Sequence, residues 1–116
     1  MLEHEQAGET TVVTLRTELD TSTAQRVKEE LERLMGDGAV RIALDLSRLD
    51  YVDSAGLGAL VSILKALRAR GGDLRLFGLK DSVRMIFDLT RLSRVFKIFP
   101  GREEALASFG GAGTGG

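Results

Sequence analysis

The strongest constraint on the fold of this 116-residue chain is a hydrophobic period that keeps switching between two and about 3.6 residues. Val40, Ile42, Leu44 and Leu46 alternate with Arg41, Ala43 and Asp45, which predicts a strand. Soon after, Leu57, Leu60, Val61, Leu64 and Leu67 make one apolar face of a helix running from Asp53 to Arg70, ended by Gly71-Gly72. Leu74 and Leu76 then alternate with Asp73 and Arg75 in another short strand closed by Gly78. Strands that alternate with helices require a largely parallel sheet, because parallel neighbours need crossover connections.

The rest of the chain extends the pattern. Leu2 to Gln6 reads as a short edge strand, ended by Ala7-Gly8-Glu9, and Thr10 to Leu19 is rich in Thr, Val and Leu, so the two should form a hairpin. Ser22-Thr23-Ala24-Gln25 matches a capping box. Behind it Ala24, Val27, Leu31, Leu34 and Met35 recur at helical spacing until Gly36 and Gly38. Asp81 and Ser82 are placed to cap a helix carrying Val83, Ile86 and Phe87, and Phe96 and Ile98 mark a last strand before Pro100-Gly101. A final helix, Arg102 to Phe109, presents Ala105, Leu106 and Phe109. The expected order is β-β-α-β-α-β-α-β-α: one α/β domain over residues 1–109, with right-handed crossovers and a single mixed, mostly parallel sheet of four or five strands with four helices. The Gly-rich residues 110–116 offer no side chains to bury and are expected to be a disordered tail.

Composition narrows the chemistry. The chain has no cysteine, which removes thiolate nucleophiles, disulfides and cysteine-ligated metals and is what a reducing cytosol permits. The acidic start Met1-Leu2-Glu3-His4-Glu5 is not a targeting segment, and the apolar stretch Leu57 to Leu67 is far short of the ~20 residues that span a bilayer, so a cytoplasmic protein is expected. Net charge is −1, yet residues 1–58 hold 6 Lys/Arg against 12 Asp/Glu and residues 59–116 hold 10 against 5. Such a dipole reads either as a basic partner surface or as solvated faces. One Tyr, no Trp and a pI near 5.8 argue against nucleic-acid binding.

Functional groups in open α/β sheets gather where strands give way to helix N-termini. At the junction Leu44 to Gly58 a strand and a connector lead to Asp53-Ser54-Ala55-Gly56-Leu57-Gly58. Each helical glycine costs about 1 kcal/mol relative to alanine, so Gly56 and Gly58 imply a close approach to this backbone. Ser54 reads both as an N-cap and as a phosphate acceptor, and the two are compatible. Leu57 reads equally as a contact residue or as core. Enzymatic readings fit poorly. Val52 stands where a nucleophile elbow needs glycine, the only histidine is His4 near the N-terminus, position 61 breaks the dinucleotide fingerprint begun by Gly56 and Gly58, and no Walker lysine exists. Asp45, Asp50 and Asp53 match no calcium-loop spacing, so no catalytic residue, metal or cofactor is expected.

Leu44-Asp45-Leu46-Ser47 followed by Val52-Asp53-Ser54-Ala55-Gly56-Leu57-Gly58 resembles the central motif of STAS domains, specifically of bacterial anti-sigma factor antagonists. Glu18-Leu19-Asp20 resembles that family's acidic motif, and Val83 to Leu92 its third-helix motif. The resemblance covers residues 5–109 in matching order and implies the STAS fold. It implies that Ser54 is phosphorylated by a partner anti-sigma factor that is itself a serine kinase of the GHKL type. The unphosphorylated chain would bind that partner and free a sigma factor; the phosphorylated chain would let go until a serine phosphatase resets it. Asp20 maps to the acidic residue used in recognition, and Asp53, Ser54, Gly56, Leu57 and Gly58 to the docking motif. Ala55 stands where many members carry a second hydroxyl, leaving Ser54 as the one acceptor in the loop. The same resemblance leaves a second role open, that of a regulatory subunit in a lipid-transport ATPase or a stress-signalling scaffold, and a small hydrolase using Ser54 is disfavoured by the lack of a nearby histidine.

Overall fold

The computed structural model describes residues 2–110. The expected residues 111–116 of the Gly-rich tail lie outside the described residues. Strands β1 (Leu2–Ala7), β2 (Thr10–Leu15), β3 (Arg41–Asp45), β4 (Asp73–Phe77) and β5 (Ile98–Phe99) stand in that order in one sheet. Helices α1 (Ala24–Gly36), α2 (Ser54–Ala69) and α3 (Asp81–Leu89) fill the three crossovers, a 3₁₀ turn covers Leu92–Arg94, and α4 (Arg102–Ser108) closes the chain. The expected order of elements and the mixed, mostly parallel sheet both hold.

β1 and β2 pair antiparallel from Leu2 opposite Leu15 to Ala7 opposite Thr10. Gly8 takes φ +63° at the first position of the two-residue turn, where a hairpin that follows the strand twist favours glycine. The remaining neighbours are parallel. Crossovers of one hand that advance one strand at a time keep α1, α2 and α3 on the same face. There Val13, Leu15, Ile42, Leu44, Leu74 and Leu76 pack against Val27 and Leu31 of α1, Leu60, Ile63, Leu64 and Leu67 of α2, and Val83 and Phe87 of α3. Each such side chain contributes about 1.5–3 kcal/mol by leaving water.

α4 covers the opposite face, where Val12, Ala43, Phe77 and Ala105 are buried with Leu106 and Phe109 against them. Ala43, on the polar side of the alternation expected for β3, is therefore fully buried. Arg75 fastens α4 to the sheet: Nε donates to Asp73 Oδ2 at 2.9 Å, Nη1 donates to the Ser108 carbonyl and hydroxyl, and the guanidinium lies 4.2 Å from the centre of the Phe109 ring.

Several boundaries differ from the sequence reading. β2 ends at Leu15, not Leu19, because the chain turns away at residue 16 and Leu19 returns only as an isolated parallel bridge to Val52. The capping box does not form. α1 has Thr23 as N-cap without a side-chain cap bond, since the Asp20 carboxylate takes both the amide and the hydroxyl of Ser22, and Gln25 donates to Glu29. Lys80 precedes α3, so Asp81 lies in its first turn and does not cap it. Phe96 stands outside β5 and packs edge-to-face on Phe87, ring centres 5.8 Å apart.

Candidate functional site

Two loops at the C-terminal edge of the parallel strands build the site: residues 16–23 between β2 and α1, and residues 46–53 between β3 and α2. The Leu19–Val52 bridge and a hydrogen bond from the Asp53 amide to the Leu19 carbonyl, 3.2 Å, bring them together. Asp53 then secures both. Its Oδ1 accepts the Gly56 amide at 2.9 Å and so caps α2, while Oδ2 accepts the amide and hydroxyl of Thr21, each at 2.9 Å. These donors, the Gly56 amide foremost, hold the Asp53 carboxyl below its ordinary range.

Ser54 is thus not the N-cap. Asp53 takes that place, and Ser54 is the first helical residue, exposed, with a hydroxyl that makes no hydrogen bond among the described residues. The cap is already satisfied by a carboxylate, which leaves the serine oxygen free at the rim. Gly56 is buried because Leu19 presses on it: a Cβ there would stand 2.3 Å from the Leu19 carbonyl oxygen and 2.7 Å from Leu19 Cγ. The close approach that Gly56 implied comes from this chain's own loop. Gly58 is the opposite case, exposed and with nothing within 4 Å of an added Cβ. Leu57 is 8% exposed and belongs to the core.

Asp20 folds its own loop. Its Oδ1 accepts the Ser22 hydroxyl at 2.7 Å and the Ser22 amide at 2.9 Å, which lowers the carboxyl's pKa, the hydroxyl acting most strongly. Thr23 Oγ1 donates to the Glu18 carbonyl at 2.6 Å and accepts the Asp20 amide at 3.0 Å. Asp20 therefore reaches the Ser54 junction indirectly, through its neighbour Thr21 on Asp53. Lys80 pairs with Asp50, whose amide donates to Glu18 Oε1 at 3.3 Å.

Three residues of this surface, Thr21, Lys28 and Tyr51, do not stand out in the sequence, and Leu19 stands out there only as part of the acidic motif and not for its packing. Thr21 and Leu19 meet partners more than 30 positions away, and no local pattern signals that. Lys28 lines a groove of about 330 Å³ between α1 and α2, together with Thr21, Gln25, Ala55, Gly58 and Ser62. Tyr51, three residues before Ser54, is 53% exposed.

Chemically the junction offers one free hydroxyl at the positive end of a helix dipole, with no imidazole or thiol lining the adjoining groove. Among the described residues no group of three or more His, Cys, Asp or Glu side chains could hold a metal ion. No helix among them is long and apolar enough to cross a membrane.

Comparison with known proteins accords with this architecture. An anti-sigma-B factor antagonist of Listeria monocytogenes is 41% identical over 81 residues, 70% of this chain and 71% of that protein. The crystal structure of a Thermotoga maritima protein superimposes with a TM-score of 0.88 at 27% identity, covering 92% of each chain. The anti-sigma factor antagonist SpoIIAA in its unphosphorylated form gives a TM-score of 0.69 at 23% identity, covering 93% of this chain and 96% of its own, a likeness of fold. The model of the STAS domain matches residues 1–105, nearly all of what folds here, and by that match, with its sheet and its Asp-Ser junction, the chain belongs to the STAS domain family.

Proposed function

We propose that this chain is an anti-sigma factor antagonist that acts in the cytoplasm through residues 1–109. It is a binding module and not an enzyme. The observation that carries the reading is the free Ser54 hydroxyl on a rim braced from two loops, in a chain 41% identical to an anti-sigma-B factor antagonist. The unphosphorylated chain binds a cognate anti-sigma factor that is a GHKL-type serine kinase, and the sigma factor is released. Transfer of phosphate to Ser54 ends binding, and a serine phosphatase restores it.

The physical account is local. A phosphate on Ser54 gains about −1.5 to −2 charge at neutral pH and sits where the α2 dipole favours an anion, so the domain stays folded. The partner bears the cost, since it must cover that charge beside Asp53, whose carboxylate is held ionised by Gly56 and Thr21. A cost of about 3–4 kcal/mol weakens binding on the order of 100- to 1,000-fold, enough to switch without a conformational change. The contact surface of this reading is Ser54 with Asp20, Asp53, Tyr51, Ala55 and Gly58, while the buried Gly56 and Leu57 support it from beneath.

The test is titration of a cognate anti-sigma factor with Ser54→Ala and Ser54→Asp. Binding should survive in the first, which accepts no phosphate, and fall at least 100-fold in the second. Equal affinities would refute the switch.

A further inference from the structure

The turn that follows α3 has a composition the Ser54 junction does not use. It lies at the N-terminal edge of the strands, the far end of the sheet from Ser54, and Arg68 near the α2 C-terminus donates from Nη2 to the Val95 carbonyl at 3.0 Å. The length of α2, about 24 Å at 1.5 Å per residue, separates the two ends. From Leu89 to Lys97 there is no Asp or Glu. Leu92 and Phe96 point inward and anchor the turn against the core, Phe96 on Phe87. Leu89 and Val95 are left outward, 77% and 39% exposed, and Met85, one turn above Leu89 on α3, is 60% exposed.

Arg91, Arg94 and Lys97 are exposed on the same turn, and none forms an ion pair among the described residues. Of the acids beside the turn, Asp88 is engaged by Arg84 at 3.3 Å and by the Ser93 hydroxyl, and Asp73 by Arg68 and Arg75, each at 2.9 Å. A helix C-terminus favours one nearby cation, which leaves the other two and the exposed apolar pair unaccounted for. Arg91 adds an independent sign. It ends α3 at φ +63°, the one non-glycine residue in the left-handed region among the described residues, at a position that glycine usually fills. An arginine held there is strained relative to glycine, so stability alone would favour its loss.

We propose that the turn 89–97, with Met85, is a second docking surface, and that it takes an acidic protein segment bearing apolar side chains. Three unpaired cations around Leu89 and Val95 complement acids around apolar anchors, which gives orientation and salt-dependent attraction. A protein segment is favoured over an anionic bilayer because the patch lacks the exposed Trp, Tyr or Phe that seats a protein at a lipid interface. The surface is remote from Ser54, so a chain engaged here keeps the phosphorylatable junction open to its kinase.

The test uses backbone amide NMR of the full chain with three probes: an 18-residue amphipathic helix with leucines flanked by glutamates, the same peptide with lysines for glutamates, and phosphatidylserine vesicles. The glutamate peptide should shift the amides of residues 85–97 in wild type and in Ser54→Asp alike, and lose the effect in high salt. Arg94→Glu should weaken it about tenfold. Arg91→Gly should weaken it several-fold while raising the melting temperature, a pairing that misfolding cannot produce. Equal response to the lysine peptide, response to vesicles alone, shifts confined to the Ser54 junction, or no shift at millimolar peptide would each overturn the proposal. Because wild type and Ser54→Asp should respond alike here, the outcome is independent of the phosphorylation switch.

Discussion

Exchanging one glycine for alanine at position 56, and separately at position 58, separates packing from partner approach on a single helix. At Gly56 the new Cβ meets the Leu19 carbonyl oxygen at 2.3 Å and Leu19 Cγ at 2.7 Å, and a backbone oxygen in a bridged loop cannot swing aside as a side-chain tip would. Relieving the overlap displaces the loop, at a cost of about 1–3 kcal/mol for overpacking. It also weakens the 3.2 Å bond from the Asp53 amide to Leu19, worth about 1 kcal/mol. Alanine's better helix propensity returns about 1 kcal/mol. The net loss is about 1–3 kcal/mol, or roughly 5–20 °C in melting temperature for a domain of this size. At Gly58 the same methyl meets nothing within 4 Å, so only the propensity gain remains, up to about 1 kcal/mol, and Gly58→Ala should melt a few degrees higher than wild type. Thermal and urea unfolding of both variants read these signs directly. A Gly56→Ala protein as stable as wild type, or a Gly58→Ala protein less stable than Gly56→Ala, would refute the assignment of Gly56 to internal packing. In the stabilised Gly58→Ala variant, weaker binding to the anti-sigma factor would then mark an approach by the partner.

Other expectations follow from the same geometry. Tyr51→Ala should leave the melting temperature within a degree or two and weaken partner binding measurably by calorimetry, since its ring is exposed and contributes little to the core. Arg75→Ala removes the hold on α4 and one partner of the buried Asp73 carboxylate; a loss of about 2–3 kcal/mol and faster proteolysis near residue 102 should be seen by urea unfolding and limited digestion. The Asp53 and Asp20 carboxyls are depressed by hydrogen bonds of the folded state, so their contribution is complete above the ordinary value of 3.8 and is lost as pH falls through the lower folded values. Asp53→Ala should therefore lower the melting temperature at pH 7, and the gap to wild type should narrow on acidification below about pH 4. Ser54→Asp should melt no lower than wild type, because a carboxylate in the first turn of α2 suits the helix dipole.

The order of elements was legible because it depends on short-range pattern. Period two in residues 40–46, helical spacing in residues 57–67 and the glycines at 71 and 72 act within a few positions of themselves. The motif Asp53-Ser54-Ala55-Gly56 was legible too, as a resemblance, and it located the junction. What it did not contain was the reason for each residue. The sequence allows Ser54 as a cap, and in the fold it is the residue after one; the sequence calls for a close approach to the Gly56 backbone, and Leu19 supplies it. The capping box at Ser22 met the local rule and still failed, because the Asp20 carboxylate was a better acceptor for the Ser22 donors than the box could offer.

By itself, then, the sequence determined which segments are strand and helix, and in what order. Only the tertiary structure decided which atoms of the Ser54 junction are spoken for. Thr21 and Asp53 are 32 positions apart and act on each other only after the sheet has set their loops side by side. A hydrogen bond depends on distances of tenths of an ångström between such segments, and no pattern running along the chain encodes them.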